Sequence, residues 1–469
     1  MPAARRTGPR GLGFFVSLFI LTLVAVACTA LAPMARATTG DVLGYNTFAG
    51  GTTERDAFFD IAEASDGSVY AIGTRDQAPS GGTMLLVKFD AARNVLWERT
   101  YRPAGASGAW AGTAVTDGSG NVVVAGGATD GIDADIAIVK WSAAGTRLWT
   151  AIRDGGTGSN DSVLDIGVAA NGSVYACGDI EGGDHAIVLK YAADADPANP
   201  LRGRELWVYQ VHSTASYDTA SARALAVDGG GNVYVVGERA APSAERNAFT
   251  LKLSSSGTRR WLRTWDGASH DNDTASQVEL KGQALYVGVD TSTRKREADL
   301  ALIKYSTAGA RRWVRLWDNG RSSGDNIAGL ACDGAGRAYV AVNSWLPGNR
   351  EKGFLIKFTA GGKRLWQRGY QGVSGEGGSL YYDVAVTGSG TAWVGGYVVN
   401  PSEITRWLTV KYSAAGKRRW VRRWDGPPAD PLGGQAWTFR LVGSSSLIMA
   451  GEVSTTSSGP GACVLWRQR

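Results

Sequence analysis

Short runs of alternating apolar and polar residues recur along the chain, and turn-forming residues separate them. The runs at 68–73 (SVYAIG), 121–126 (NVVVAG) and 232–237 (NVYVVG) are rich in Val and Tyr, which favour β-strands. A tight turn that contains Gly with Asp or Asn comes before each of them. Four runs make one unit, and we name them strands A to D. The pattern therefore predicts an all-β chain of four-stranded antiparallel units.

One phrase marks the unit: a lysine in strand C is followed by a tryptophan in strand D, seven times. The pairs are Lys88/Trp97, Lys140/Trp149, Lys190/Trp207, Lys252/Trp261, Lys304/Trp313, Lys357/Trp366 and Lys411/Trp420. The two residues are 9 apart in six pairs and 17 apart in the third, where DADPANPLRGRE is inserted. Successive tryptophans are 52 to 58 residues apart. A period near 50 residues with four short strands indicates a β-propeller.

The last unit has strands A, B and C but no strand D, and its Trp466 stands where the other units have lysine. The missing strand is predicted at the other end of the chain, because 42–48 (VLGYNTF) aligns with 95–101 (VLWERTY). Seven complete units and one composite unit predict an eight-bladed β-propeller, a single domain over 38–469. Closure by the N-terminal strand removes an unpaired sheet edge. Six of the eight B strands end in glycine: Gly73, Gly126, Gly178, Gly237, Gly396 and Gly451.

Residues 1–37 have the pattern of a signal peptide. Three arginines in the first ten residues precede an apolar run at 12–32, and Ala-Arg-Ala at 35–37 fits a cleavage site. We therefore expect a secreted or extracytoplasmic protein without a membrane span after signal removal. Two alternatives remain: a lipoprotein attached through Cys28, and an uncleaved N-terminal anchor, because the apolar run is long enough to span a bilayer.

The net charge of +6 depends mainly on that leader. Without it, 45 basic and 43 acidic residues leave a net charge of +2, a weak basis for a nucleic-acid partner, so we predict none. The other three cysteines, Cys177, Cys332 and Cys463, lie in apolar strand contexts far apart in sequence. An odd number argues against a disulfide framework, and we expect buried free thiols.

The unit resembles the SBBP-type β-propeller repeat of bacterial secreted proteins. Residues 216–261 fit its core of D-x₃₋₄-apolar-D-x-x-G-N-v-Y-v-x-G followed by K-y-x-x-x-G-x-x-x-W, and the resemblance covers nearly all of 38–469. It implies a propeller but no substrate. The G-x-x-x-W ending is also similar to the tryptophan-docking repeat of eight-bladed quinoproteins. The turn here is one residue shorter, and the adjacent cysteines that those alcohol dehydrogenases use are absent from the sequence.

A set of aspartates precedes strand A in five units: Asp56, Asp161, Asp218, Asp273 and Asp325. Strand A is innermost in a propeller, so these residues are expected near the mouth of the axial channel. They could form a carboxylate ring for a cation such as Ca²⁺ or for a hydroxylated ligand. They could equally cap backbone N–H groups of local turns. We predict no cofactor, with Ca²⁺ at this ring as the alternative.

Strand D repeats Trp–x–Arg–x–aromatic, which places three side chains on one face of the strand. The clearest members of this belt are Trp261, Arg263, Trp313, Arg315, Trp420 and Arg422. The belt could grip a sugar polymer or an anionic cell-wall chain through stacked arginines and aromatic rings. Alternatively, the tryptophans wedge between blades and the arginines protect outer strand edges. The strand C lysines recur too regularly for catalysis, and we expect each to pair with a carboxylate.

Catalytic motifs are weak in this chain. The three histidines occupy unrelated repeat positions, which argues against a His-rich metal centre or a His-based triad. The D–A and B–C connections are long, variable and polar, and antiparallel connectivity brings them to one face, where a ligand site is expected. We predict a monomeric, non-catalytic binding or scaffold module for an extracellular polymer, such as a glycan, or for a protein. The alternative is a quinoprotein-like or hydrolytic enzyme with its site on the D–A/B–C face.

Overall fold

The computed structural model describes residues 42–48, 56–76, 81–156, 158–196, 199–212, 219–242, 245–293, 296–320, 324–346, 350–372, 377–400, 402, 404–427, 433–442, 446–453 and 461–468. The predicted signal peptide at 1–37 and Asp218 lie outside these residues. Within them, the only helix is a 3₁₀ turn at Glu181–Gly183, and no helix is long and apolar enough to cross a membrane.

Thirty-two strands form eight four-stranded antiparallel sheets, which confirms the predicted blades. In chain order from strand A to strand D, blade 1 is β2 (Ala57–Glu63), β3 (Val69–Arg75), β4 (Thr83–Phe89), β5 (Val95–Tyr101); blade 2 is β6 (Gly108–Thr116), β7 (Val122–Thr129), β8 (Ala134–Trp141), β9 (Arg147–Arg153); blade 3 is β10 (Ser162–Val168), β11 (Val174–Ile180), β12 (His185–Asp196), β13 (Asn199–Val211); blade 4 is β14 (Ala220–Val227), β15 (Val233–Ala240), β16 (Arg246–Leu253), β17 (Arg259–Trp265); blade 5 is β18 (Asp273–Lys281), β19 (Ala284–Thr293), β20 (Arg296–Ser306), β21 (Arg311–Trp317); blade 6 is β22 (Asp325–Cys332), β23 (Ala338–Leu346), β24 (Arg350–Phe358), β25 (Arg364–Tyr370); blade 7 is β26 (Gly378–Val386), β27 (Ala392–Val399), β28 (Thr405–Tyr412), β29 (Arg418–Trp424); and blade 8 is β30 (Gly434–Val442), β31 (Ser446–Val453), β32 (Gly461–Gln468), β1 (Val42–Phe48).

The blades form a closed ring around an axis. Each strand A contacts the A strands of both neighbouring blades, including β2 of blade 1 with β30 of blade 8. Strand β1 pairs antiparallel with β32, with Gly44 opposite Trp466 and Phe48 opposite Ala462. The N-terminal strand therefore completes the last blade, as the sequence predicts, and the fold is an eight-bladed β-propeller.

The hydrophobic core is divided among the junctions between blades. Eight clusters of buried residues are present in the described chain, and each combines side chains from two neighbouring blades. At the junction of blades 8 and 1, for example, Phe89, Ile448 and Trp466 belong to one cluster. The apolar face of one sheet is thus covered by the next sheet, so no blade can bury its residues alone.

A β-bulge near the start of every strand A explains the glycines that end strand B. In blade 2 the register shifts between Ala111 and Thr113, and Gly126 lies opposite Ala111. A Cβ on Gly126 would lie 1.9 Å from the carbonyl oxygen of Trp110, so the close approach excludes a side chain. Blades 5 and 6 have Val289 and Val342 at this position, and nothing in the structure explains why valine is accepted there.

The three cysteines of the propeller are buried and free, as predicted. Burial raises the pKa of the thiols of Cys177, Cys332 and Cys463 above the ordinary value. Because the thiolate is the reactive form, we interpret these residues as parts of the core.

Candidate functional site

At five of the eight junctions, the repeated lysine and tryptophan join one blade to the next through a single carbonyl oxygen. The oxygen of Ala143, in the C–D turn of blade 2, accepts hydrogen bonds from Lys88 Nζ (2.9 Å) and Trp97 Nε1 (3.2 Å) of blade 1. Four further junctions have the same arrangement: Ser255 with Lys190/Trp207, Thr307 with Lys252/Trp261, Ala360 with Lys304/Trp313, and Ala414 with Lys357/Trp366. We call this contact the interlock.

The expectation that each lysine pairs with a carboxylate is therefore wrong for most copies. Among the described ion pairs only Lys140 has such a partner, Asp117, at 2.8 Å. The five lysines of the interlock donate across the blade junction, as Lys140 also does to the Ala193 oxygen (2.8 Å). Beside each interlock lysine lies a tyrosine ring of strand B. In blade 5, Lys304 Nζ lies 4.7 Å from the ring centre of Tyr286, whose hydroxyl donates to the carbonyl oxygen of Gly336 in blade 6 (2.6 Å). Desolvation lowers the pKa of Lys304.

Most members of the predicted belt belong to the interlock or support it. Arg263 Nε donates to the Gly309 oxygen (2.8 Å) and Arg315 Nε to the Gly362 oxygen (2.7 Å), both in the next blade. The Trp261 ring covers Gly309, where an added Cβ would lie 2.8 Å from the indole. These residues therefore hold blades together, and their use by a ligand stays a prediction.

Trp420 is the exception within the belt. The C and D strands of blade 8 are β32 and β1, the last and first strands of the chain, so no C–D turn of the repeat connects them. The buried Nε1 of Trp420 has no hydrogen-bond acceptor among the described residues. The guanidinium of Arg422 lies 5.5 Å from the Trp420 ring centre and donates to the Val421 oxygen (3.2 Å).

The insertion in blade 3 extends β12 and β13 and alters one junction. Trp149 of blade 2 is fully buried and stacks on Tyr191 at 6.0 Å, with an interplanar angle of 26°. A groove of about 800 Å³ lies beside this junction, between the D strands of blades 1, 2 and 3. Arg153 and Glu205 pair beside this groove at 2.9 Å.

The aspartates that precede strand A accept hydrogen bonds from their own loops. Asp56, Asp161, Asp273 and Asp325 are each at most 2% exposed. The amides of Asp76 (2.7 Å) and Gly267 (2.6 Å) donate to Asp56 and Asp273, and those of Gly155 and Glu181 donate to Asp161. Asn319 and the Ser344 hydroxyl donate to Asp325. Each described member thus caps a local turn, and Ca²⁺ binding by the five as a ring, with Asp218 included, stays a prediction.

Among the four described aspartates of this set, only Asp161 lies in an acidic cluster. Ligand oxygens of Asp135, Asp154 and Asp161 lie within 4.8 Å of one another, at the junction of blades 2 and 3 on the D–A/B–C face. Burial, together with the charges of Asp154, Asp133 and Asp161, raises the pKa of Asp135 to about 6. Three carboxylates at this spacing are the described residues best suited to hold a divalent cation such as Ca²⁺.

The axial channel contains a cavity of about 500 Å³, bounded by the A strands of blades 1, 5, 6, 7 and 8. The β-bulges of blades 7, 8 and 1 place three aromatic residues, Tyr382, Trp437 and Phe59, in its wall. The ring centres of Tyr382 and Trp437 are 5.2 Å apart, and those of Phe59 and Trp437 are 6.5 Å apart. The three rings therefore form a continuous aromatic wall on one side of the axis.

A charged network lies beside the aromatic wall. Arg440 of blade 8 pairs with Asp383 of blade 7 and, at 3.2 Å, with Asp60 of blade 1. Asp60 in turn accepts hydrogen bonds from the amides of Ala114 and Ile61, at 3.0 and 2.8 Å. The Arg440 side chain is 44% exposed although it lies inside the ring, so there is room around the guanidinium. Burial raises the pKa of Asp383, and Arg440 opposes this shift.

Glu279 of blade 5 lies in the same cavity and titrates near neutral pH. Burial raises its pKa to about 7, against the smaller effects of Lys281 and of the Cys332 amide. The raised pKa means that the folded protein binds the proton more tightly than the unfolded chain does. The stabilisation of the fold that results from this tighter proton binding is fully present below the ordinary glutamate pKa. It is lost as pH rises through about 7.

We expect Glu279→Gln to stabilise the protein at pH 8 and to have little effect at pH 4.5. The gain should be about 1–3 kcal/mol, because a carboxylate no longer ionises in a poorly solvated cavity. Urea unfolding followed by circular dichroism at pH 4.5, 6, 7 and 8 measures the difference. Glu63→Gln, at an exposed glutamate, is the control. If the free energy of unfolding changes with pH in the same way for Glu279→Gln and the original protein, the pKa of Glu279 is not raised.

The outer rim of the ring is basic on one side only. The D strands of blades 4 to 7, with the turn residue before two of them, contain fourteen basic and no acidic residues. This basic arc consists of Arg259, Arg260, Arg263, Arg311, Arg312, Arg315, Lys363, Arg364, Arg368, Lys417, Arg418, Arg419, Arg422 and Arg423. The D strands of the other four blades contain five basic and two acidic residues.

Aromatic contacts link the arc from blade to blade. The guanidinium of Arg311 lies 5.7 Å from the Trp265 ring, and that of Arg418 lies 5.6 Å from the Tyr370 ring of the preceding blade. Arg260, Arg312 and Arg419 are exposed, and none of them has an ion-pair partner in the part of the chain that the structure describes. Protection of strand edges is needed equally in all eight blades, so it does not explain charge confined to four.

Comparison with known proteins supports the fold and no narrower relationship. No family model matches the chain, and no curated protein matches it in sequence. The crystal structure of Sqt1 from Chaetomium thermophilum is similar, with a TM-score of 0.56 and 12% identity over 92% of this chain and 99% of Sqt1. The crystal structure of polysaccharide lyase Uly1 has a TM-score of 0.48 and 8% identity over 91% of this chain and 99% of Uly1. That of puromycin hydrolase has a TM-score of 0.44 and 14% identity over 87% of this chain and 60% of the hydrolase. The resemblance to SBBP-type repeats stays a prediction.

Proposed function

We propose that this protein is a secreted, non-catalytic binding module whose basic arc holds an acidic polysaccharide. The observation that carries the proposal is that the D strands of four consecutive blades contain fourteen basic and no acidic residues, with the turn residues before two of them included. A linear polyanion can follow such a rim and contact several blades at once, so that many weak contacts add up.

The arc differs from the belt expected from the sequence. The belt arginines Arg263 and Arg315 donate hydrogen bonds to the next blade through Nε. The side chains of Arg260 and Arg312 are exposed and make no polar contact with the described residues. Because an arginine presents several N–H donors to carboxylate and sulfate groups, the exposed arginines are the better candidates for polymer contact. Polymer binding is therefore still proposed for these D strands, but through the exposed arginines next to the belt residues.

Neutralising three arc residues should weaken polymer binding. We expect the triple variant Arg260→Gln, Arg312→Gln, Arg419→Gln to bind polygalacturonate about tenfold less tightly at low salt, because each exposed contact contributes about 0.5 kcal/mol. Binding of the original protein should fall as NaCl is raised from 50 to 300 mM. Biolayer interferometry on immobilised polymer gives both affinities. Arg102→Gln, Arg204→Gln, Arg246→Gln changes net charge equally outside the arc and is the control.

Several results would count against this function. Equal loss in the two triple variants would mean that net charge matters and the arc does not. Tighter binding to duplex DNA than to polygalacturonate, or equal binding to neutral dextran, would identify a different class of ligand. Falling viscosity of the polymer during incubation would favour the hydrolytic enzyme over the binding module.

A further inference from the structure

The A strands break the repeat at one position, and the break lies in the axial cavity. The residue opposite the aromatic position of strand B is small and apolar in six blades: Ala62, Val115, Gly167, Ala226, Ala331 and Ala385. It is Glu279 in blade 5 and Arg440 in blade 8. A ring of equivalent modules does not need two charged groups at this position, because six modules pack without them.

The bulge position of the same strands departs from the repeat in a second way. In blades 7, 8 and 1 it carries Tyr382, Trp437 and Phe59. The other five blades have no aromatic residue there and carry Gly112, Leu164, Arg223, Ser276 and Ala328. The large rings lie on consecutive blades and touch one another, and Glu279 and Gln277 come from blade 5 of the same cavity. The cavity is therefore aromatic on one side and hydrogen-bonding on another.

The single positive charge of Arg440 faces two carboxylates, Asp383 and Asp60. The network therefore has an excess of negative charge, and Glu279 lies in the same cavity. An anionic ligand would lie among these carboxylates, which is unfavourable. A ligand with one apolar face and several hydroxyl groups has no such cost. Its apolar face would lie on the rings, and its hydroxyls would reach the carboxyl of Glu279, the amide of Gln277 and the guanidinium of Arg440.

We propose that the axial cavity binds a small neutral sugar, a mono- or disaccharide, with its apolar face on Trp437 and Tyr382. The cavity volume of about 500 Å³ suits this class of ligand, since small-molecule sites occupy roughly 300–1,000 Å³. This site is separate from the basic arc, and it takes an uncharged ligand where the arc takes a polyanion.

Isothermal titration calorimetry with the propeller tests the proposal. The panel contains glucose, galactose, mannose and N-acetylglucosamine, their 1,4-linked disaccharides, and the charged sugars glucuronate and glucosamine. We expect at least one neutral sugar to bind with a dissociation constant below about 1 mM. Trp437→Ala should weaken it at least tenfold, and Ala331→Leu, which adds volume in the cavity wall, should abolish it. Trp110→Ala removes a 39% exposed tryptophan elsewhere and should leave binding unchanged.

Three outcomes would overturn the proposed sugar site. The first is no heat of binding from any neutral sugar at about 10 mM, roughly ten times the expected dissociation constant. The others are binding only of glucuronate or glucosamine, and unchanged binding in Ala331→Leu. If Trp437→Ala fails to fold by circular dichroism, Ala331→Leu decides alone. The arc variant Arg260→Gln, Arg312→Gln, Arg419→Gln should bind the sugar normally, and Trp437→Ala should bind polygalacturonate normally. The sugar site and the polymer-binding arc are therefore tested independently of each other.

Discussion

Removal of residues 38–48 should open the ring and destabilise the whole propeller. Strand β1 pairs with β32 along Val42–Phe48, and Phe48 packs against Phe58 (5.5 Å) and Phe89 (6.0 Å) of blade 1. Its loss leaves β32 as a free edge and uncovers part of the core shared by blades 8 and 1. We expect the free energy of unfolding to fall by about 4 kcal/mol or more, since loss of a packed phenylalanine alone costs about 3–5 kcal/mol.

Urea unfolding followed by circular dichroism measures this loss, and light scattering detects self-association through the free edge. A circular permutant supplies the control: Gln468 is joined to Val42 by the turn Ser-Ala-Ala-Gly-Lys, copied from 413–417, and new ends are placed between Ala240 and Arg246. It keeps the β1–β32 pair and should retain its stability. If the shortened protein unfolds at the same urea concentration as the full chain, β1 does not hold the ring.

Trp366→Ala should cost about 3–4 kcal/mol, and Trp420→Ala about half as much. The indole N–H of Trp366 donates to Ala414 (3.2 Å), and its ring covers Gly416 of the next blade, where an added Cβ would lie 2.7 Å away. Truncation removes buried aromatic surface and takes one donor from the shared carbonyl. Trp420 lies beside the lysine of its own blade, Lys411 (6.0 Å), as Trp366 lies beside Lys357 (5.8 Å), but its Nε1 has no acceptor among the described residues.

The comparison of these two tryptophans isolates the interlock from ordinary packing. Trp366→Phe keeps one aromatic ring but loses the donor and part of the ring area, so it should cost at least about 1 kcal/mol. Trp420→Phe should cost less than that. Urea midpoints of the four variants, measured by circular dichroism because the chain has 17 tryptophans, give the differences. Equal costs at positions 366 and 420 would mean that the interlock contributes nothing measurable.

The sequence was sufficient to predict the ring because its evidence is local and repeated. Val42–Phe48 resembles β5 residue by residue, and Trp466 occupies the lysine position, so the pairing of β1 with β32 followed from alignment alone. Strand bounds were less accurate. We placed a strand A at 60–65, whereas β2 begins three residues earlier, because the bulge after Phe58 interrupts the alternation of apolar residues.

Contacts between blades could not be read from the strands themselves. The lysine partners were expected to be carboxylates, but Lys357 donates to the Ala414 oxygen of the following blade (2.8 Å). The partner of the lysine depends on the rotation between adjacent sheets, which the pattern of residues along one strand does not contain.

The axial cavity was missed for a similar reason. Phe59 is far in sequence from Tyr382 and Trp437, and only the equivalent bulges and the closure of the ring reveal that the three rings share one wall. The available signal was an aromatic residue at a position that is not aromatic in the other five units.

The absence of a C–D turn in blade 8 makes the eight junctions unequal. Blades 1 to 6 each face a neighbour whose C and D strands follow one another in the chain, whereas blade 7 faces blade 8, whose C and D strands are the last and first strands of the chain. That junction relies on packing around Trp407 and Phe439 and on the hydrogen bond from Trp407 Nε1 to the Glu452 oxygen (3.1 Å). Opening of the propeller thus has a preferred starting point, and thermal breathing, protease entry and strand exchange between molecules should all begin at this seam.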